Sequence, residues 1–226
     1  VNEAPAKVPE LVPVFPLPEA VLFPRQLLAL HIFEPRYRTM VADALAGEKV
    51  IAAALLKPDY ERHYFTPHAP IHRLIGVGRI VAAEGLDDGK FNIALRGAVR
   101  ASVLEELPGQ PYRVARIQPV ATCCNSSPAD RAQLRRELLE AVRQHLAAKN
   151  HAYEHYLRLF DAPLSLGELA DLIAGGLPVV GELRQGLLAE LEAGNRVRML
   201  LAHLHTLTTV TCNAHGAERR PPWKLN

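Results

Sequence analysis

A chain of 226 residues, 49% of them hydrophobic, is long enough for one large domain or two modest ones and fills a core without disulfide staples. Its 26 basic and 24 acidic residues leave a formal charge of only +2, which by itself points neither to nucleic acid nor to a membrane surface. Three cysteines, with Cys123 and Cys124 adjacent and Cys212 distant, make neither a secreted disulfide framework nor a C-x-x-C knuckle, and no run of about 18 apolar residues offers a membrane span.

Val1 to Glu10 is polar and contains proline, where a signal peptide needs a charged start and then an apolar run, so a cytoplasmic, reducing setting is expected. As far as Val120 the apolar residues come in short runs broken by Pro or Gly: Leu11 to Phe15, Leu27 to Ile32, Val50 to Leu56, Ile75 to Ala83, Phe91 to Leu95, Ala98 to Leu104 and Tyr112 to Val120. Runs of this length between turn residues read as strands. Asp87-Asp88-Gly89 supplies a hairpin turn, because Gly accepts positive φ and Asp bonds its own backbone. One helix interrupts the strands. It starts at Pro35, whose missing N–H costs nothing in a first turn, and it places Tyr37, Met40, Val41, Ala44 and Leu45 on one face, with Gly47 expected as a left-handed cap.

After Thr122 to Ser127, a small polar stretch read as a linker, the period becomes helical. Ser127-Pro128-Ala129-Asp130 opens a helix lined by Leu134, Leu138, Leu139, Val142 and Leu146. Ser165-Leu166-Gly167-Glu168 is a second capping box, before Leu169, Leu172 and Ile173. Two further helices carry Leu183, Leu187 and Leu191, then Val197, Leu200, Leu201, Leu204 and Leu207 after an Asn195 cap. The expected fold class is α+β: a curved antiparallel sheet or barrel with one inserted helix, then an α-helical bundle. The expected boundaries are 8–121 for the β-rich part, 122–127 for the linker and 128–212 for the helices.

Catalytic signatures are sparse. Gly181 to Gly186 has the glycine spacing of a phosphate loop, but Leu187 and Leu188 stand where Lys and Ser/Thr are needed. None of the four serines sits in a G-x-S-x-G turn. His151-Ala152-Tyr153-Glu154-His155 matches the H-x-x-E-H pattern of zinc peptidases, in which two imidazoles one helical turn apart share the metal and the glutamate acts as base. Its third ligand is unspecified, and a solvated helix face explains it as well. His63, His68 and His72 form a looser group in a loop rich in Pro, His and Tyr. Arg73, Arg79, Arg96, Arg100, Arg113 and Arg116 recur along the strands and would make a basic stripe, the footprint of an RNA- or nucleotide-binding module, but no aromatics interleave to stack bases.

The most specific signal lies near the start. Val12-Pro13-Val14-Phe15-Pro16-Leu17-Pro18, then Val21-Leu22-Phe23-Pro24, then Leu30-His31-Ile32-Phe33-Glu34-Pro35-Arg36-Tyr37 resemble the opening of the N-terminal domain family of Lon proteases. Ile75-Gly76, Asp88-Gly89, Gly97-Ala98-Val99-Arg100, Leu169 to Ala174, Leu177-Pro178 and Arg196 to Leu204 are similar to later positions of that family, so the likeness runs from Leu11 to Leu207. Val77, Ala101 and Ala29 depart from its usual Thr, Phe and Pro. What the resemblance implies is a PUA-like sheet with a helical subdomain, no cofactor, no ATPase or protease part, and non-enzymatic binding of unfolded or partner polypeptides, with a protease or chaperone as possible recipient. The residues it marks are Phe23, Pro24, Arg25, Phe33, Glu34, Arg36 and Tyr37. Two roles compete for them: Phe15, Phe23, Phe33 and Tyr37 filling the core with Glu34 paired to Arg36 or Arg38, or Phe23, Pro24 and Arg25 on an exposed loop anchoring an extended chain, with a free sheet edge beside it.

Overall fold

The computed structural model describes residues 7–63, 66, 69–147, 163–177 and 181–217. Six strands, β1 (Leu11–Leu17), β2 (Leu27–Ile32), β3 (Val50–Leu55), β4 (Leu74–Gly85), β5 (Phe91–Leu107) and β6 (Arg113–Val120), enclose the helix α1 (Pro35–Ala46) in sequence. Among the described residues four helices follow: α2 (Pro128–Ala147), α3 (Leu166–Gly176), α4 (Gly181–Ala189) and α5 (Ala193–Ala217). The class is α+β, as the patterning predicts.

The strand order is β2-β5-β4-β3-β1-β6, with β6 also paired to β5. Five strands therefore close on themselves, and β2 extends the sheet beside the first half of β5. One pair corrects the expectation of an antiparallel sheet: β1 and β3 run parallel, Val14 opposite Ala52 through Leu17 opposite Leu55. The chain between them carries β2 and α1, and such a crossover is what a parallel pair requires. All six residues of β3 are buried. Val50, Ala52 and Ala54 join residues of β1, β4, β5 and β6 in the core enclosed by the closed strands. Ile51 and Ala53 face the other way, onto Tyr37, Met40, Val41 and Ala44 of α1. A strand covered on both faces reads as an unbroken apolar run for this reason.

Local chemistry explains most element ends. Gly89, with φ of 75°, makes the β4–β5 turn, where the Lys90 N–H donates to Asp88 Oδ1. Gly47 ends α1 by donating to Asp43 and Ala44 oxygens, but with φ of −109°; the left-handed residue is Lys49, at φ 58°, which corrects the expected cap. The hydroxyl of Tyr112, just before β6, donates to Asp43 Oδ2 on α1 at 2.7 Å.

Contacts divide the chain into two compact units, Val1–Cys123 with Asp171–Leu191, and Cys124–Ala170 with Glu192–Asn226. The expected boundaries put the helices after the linker in one body. Instead the second half of α3 and all of α4 group with the sheet, through apolar and polar anchors that no helical period announces. In the other unit α2 packs on α5, with Leu134, Leu138, Val142, Val197, Leu200 and Leu204 buried. The Ser127 hydroxyl accepts the Asp130 N–H, and at α3 Ser165 and Glu168 cap each other reciprocally at 2.8 and 3.3 Å. Asn195 does not cap α5: Glu192 does, accepting the N–H groups of Asn195 at 2.6 Å and Asn125 at 3.1 Å.

Burial alone would push the Glu192 carboxyl up, but the backbone donors of Asn195, Gly194 and Asn125, with the Arg198 charge, outweigh it and hold the group below its usual range. A depressed folded-state value means that the cap's stabilisation is complete above the unfolded-state carboxylate value and is lost as pH falls through the folded one. Glu192→Ala is expected to cost about 1 kcal/mol at neutral pH. The deficit should vanish at acid pH in paired urea titrations; an equal deficit at every pH would refute the cap.

Candidate functional site

The seven marked residues separate into two places in the sheet unit. Phe23, Pro24 and Arg25 form a packed turn, not an exposed anchor. Phe23 is fully buried, Pro24 is half-buried, and only Arg25, with φ of 66°, is exposed. The turn is clamped from several sides. Arg25 N–H donates to Gly97 O at 2.8 Å, and Gly97 N–H returns a bond to Gln26 O at 2.9 Å. The Gln26 side chain accepts from Phe23 N–H and donates to Gly175 O on α3, each at 3.1 Å. The strands leave room by carrying glycine: a Cβ on Gly76 would lie 1.9 Å from Leu22 O, and one on Gly97 1.9 Å from Phe23 O.

Under this turn lies a feature that sequence reasoning missed. Arg100, 2% exposed, sits 5.9 Å from the Phe23 ring centre. Its guanidinium makes a bidentate pair with Asp171 of α3, at 2.8 and 2.6 Å, and donates from Nε to Leu188 O of α4 at 2.9 Å. The planar fork matches the carboxylate, and Leu188 O takes the remaining inward donor. The only sequence signal was that Arg100 and Asp171 both fall in motif-like segments.

Arg100 therefore does not belong to a basic stripe. Arg113 is also buried, bonded to Ala69 O and paired with Glu106 at 3.4 Å. Arg116 pairs with Glu10 at 3.0 Å, and Arg79 donates to the backbone oxygens of Glu48 and Lys7. The continuous cationic surface that a nucleic-acid reader needs is broken up by burial and pairing.

Phe33, Glu34 and Tyr37 are brought together at a cleft of about 150 Å³, with Phe15, Pro16 and Leu17 from β1, Pro18 just after it, and Leu30, His31 and Ile32 from β2. Tyr37 and Phe15 are buried with ring centres 4.5 Å apart, so these two aromatics fill core as well as line the wall. Phe33 is 57% exposed, contrary to a core role. Glu34 stands at the N-cap of α1 but makes no side-chain cap; Arg36 holds its Oε2 through Nη2 at 2.9 Å and Nε at 3.1 Å. The same guanidinium lies 4.6 Å from the Tyr37 ring centre. β2, which supplies one wall, pairs only with β5 among the described residues, and no other described strand pairs with its second edge.

Of the metal candidates, His151, Glu154, His155 and His68 lie outside the described residues. His63 is exposed and His72 bonds Glu182 on α4 at 3.1 Å. Among the described residues no group of three or more His, Cys, Asp or Glu is arranged to hold a metal ion, and no helix is long and apolar enough to cross a membrane.

The sequence profile of the ATP-dependent protease La (LON) substrate-binding domain matches residues 11–206. Lon protease 2 of Sorangium cellulosum is 27% identical over 204 residues, 88% of this chain and 25% of that protein. Lon protease of Dictyoglomus thermophilum is 32% identical over 113 residues, 50% of this chain and 14% of that protein. The chain thus spans about a quarter of the length of the first of these relatives. Among solved structures, a Lon N-terminal domain protein from Xanthomonas campestris superposes with a TM-score of 0.61 at 21% identity, covering 85% of this chain and 97% of that one. The N-terminal domain of the Mycobacterium avium complex Lon protease gives 0.66 at 16% identity, covering 86% and 98%. With the profile spanning nearly the whole described chain and the fold repeated in two such domains, this chain belongs to the Lon substrate-binding domain family.

Proposed function

We propose that this protein binds extended segments of unfolded or partner polypeptides, without making or breaking bonds and without a cofactor, in the cytoplasm. The observation that carries the reading is that an unpaired strand edge and an apolar cleft share one wall. Leu30, His31 and Ile32 belong both to the free edge of β2 and to the lining around Phe33. A segment laid along β2 satisfies the backbone groups of the edge, and one of its apolar side chains enters between Phe15, Phe33 and Tyr37. Main-chain bonds of this kind are indifferent to sequence, and the cleft adds selectivity for a large side chain. Membership of a substrate-binding family supports the same use. Of the residues marked in the sequence, Phe33, Glu34, Arg36 and Tyr37 serve this site; Phe23, Pro24 and Arg25 hold the start of β2 in place.

The test is fluorescence anisotropy with labelled, unstructured peptides of about a dozen residues. Phe33→Asp is expected to weaken binding at least tenfold, since it puts a charge on the apolar wall. Its melting temperature should stay close to that of the parent, because Phe33 is largely exposed. Unchanged affinity in the variant, or indifference of the protein to every unfolded peptide, would remove this reading.

A further inference from the structure

The sheet face turned away from α1 carries uncompensated charge beside the outer edge of β2. Leu27 of β2 stands opposite Arg96 of β5, and Arg96 stands opposite Arg79 of β4. Residues directly opposite in a ladder point to one face, and all three are exposed, Leu27 to 57%. Their chain neighbours Leu28, Leu95 and Ile80 point the other way, into the core shared with α1.

Like charges placed opposite each other repel. Arg79 spends its terminal nitrogens on the backbone oxygens of Glu48 and Lys7, which are neutral acceptors. Arg96 has no hydrogen-bond or ion-pair partner among the described residues. Four residues further along β2 the face changes sign: His31 stands opposite Asn92, and Asn92 opposite Glu84, whose Oε2 accepts from the Asn92 amide at 3.0 Å. Ala29, Ala94 and Ala82 form the neutral row between.

A chain laid along β2 adds a strand about 4.8 Å beyond it, so its residue opposite Leu27 lies about two strand spacings from Arg96. A guanidinium and a carboxylate side chain together span that gap, and the exposed leucine between them is covered by their aliphatic stems. The carboxylate supplies the counter-charge that the two arginines lack, whereas a basic side chain there adds a third cation. Strand alternation separates this position from the cleft. Leu30 and Ile32 line the cleft three and five residues from Leu27, so side chains laid opposite them turn to the cleft while the one opposite Leu27 turns to the arginines.

We infer that the bound segment carries an acidic residue three or five positions from its apolar anchor, with the carboxylate held by Arg96. This rests on the polypeptide-binding reading above and makes Arg96 a specificity-determining residue.

The test uses labelled, unstructured peptides with one central phenylalanine, in which a single Glu, Gln or Lys is walked outward from it. On the full chain at low salt, Glu three or five residues to one side of the anchor is expected to bind about fivefold tighter than Gln there, the upper end for an exposed ion pair, and Lys weaker than Gln. At spacings of two or four, Glu and Gln should bind alike. Arg96→Glu alters an exposed side chain, so it should fold like the parent and erase the preference for Glu. Equal binding of Glu and Gln at every spacing, a gain that ignores the alternation, or a preference that survives Arg96→Glu overturns the inference and leaves polypeptide binding standing. A labelled oligonucleotide that binds more tightly than any peptide, and is lost in Arg96→Glu, overturns it in favour of a phosphate. Binding of no peptide at all removes the underlying reading as well.

Discussion

Asp171→Leu is expected to destabilise the protein by about 3–5 kcal/mol, the cost of stripping the partner from a buried charge. Arg100 would keep its bond to Leu188 O but lose both bonds to the carboxylate, in a place where the guanidinium is 2% exposed and water cannot replace them. Urea unfolding followed by circular dichroism would show this as a lower midpoint at similar slope. The informative control is the double replacement Arg100→Met with Asp171→Leu. An apolar pair of similar volume removes the unpaired charge together with its partner, and most of the loss should return. Arg100→Lys is not a mild change here, because an ammonium cannot make the two parallel bonds and the third to Leu188 at once. An unaltered midpoint in Asp171→Leu would show that the pair contributes nothing to the fold.

That pair also shows where legibility in the sequence stops. Local rules placed the strand segments, α1 and the Ser127 and Ser165 caps, because a proline at the first helical position or a Ser-x-x-Glu box acts within one turn of chain. Arg100 and Asp171 are 71 residues apart, and no period or spacing couples them. Read along the strands, Arg100 was one cation in a row; only the packing of α3 and α4 on the sheet makes it half of an ion pair.

The site was half legible for a related reason. Motif density picked out Phe23 as strongly as Phe33, yet one is fully buried and the other 57% exposed. Density of signature residues reports constraint, and constraint arises from packing as readily as from binding. Asn92 and Glu84 carried no signal and His31 only its place in the Leu30–Tyr37 run, since the three meet across strands whose pairing depends on register. β5 illustrates the same limit. Gly97 reads as a break between two strands, but β5 runs unbroken from Phe91 to Leu107, and the glycine serves a neighbour rather than a turn.

Gly97→Ala should show that service directly, with an expected loss of about 3 kcal/mol or more. The added methyl would lie 1.9 Å from Phe23 O, 2.8 Å from its carbonyl carbon and 3.2 Å from Pro24 Cα, all backbone atoms that no rotamer change can move aside. Either β5 or the Leu22–Gln26 turn must shift. Any such shift stretches the two bonds between Gly97 and the turn, Arg25 N–H to Gly97 O and Gly97 N–H to Gln26 O. Gly109→Ala is the fitting comparison, because Gly109 has φ of 108° but nothing within 4 Å of an added Cβ. It isolates the backbone penalty, about 1 kcal/mol, from the penalty of space. Amide exchange adds a local readout: in Gly97→Ala the Arg25 and Gly97 protons should exchange far faster than in the parent, whereas Gly109→Ala leaves them protected. If the two alanine variants lose the same stability, the turn is not seated on Gly97, and the start of β2, with the edge it offers to a bound chain, must be held by something else.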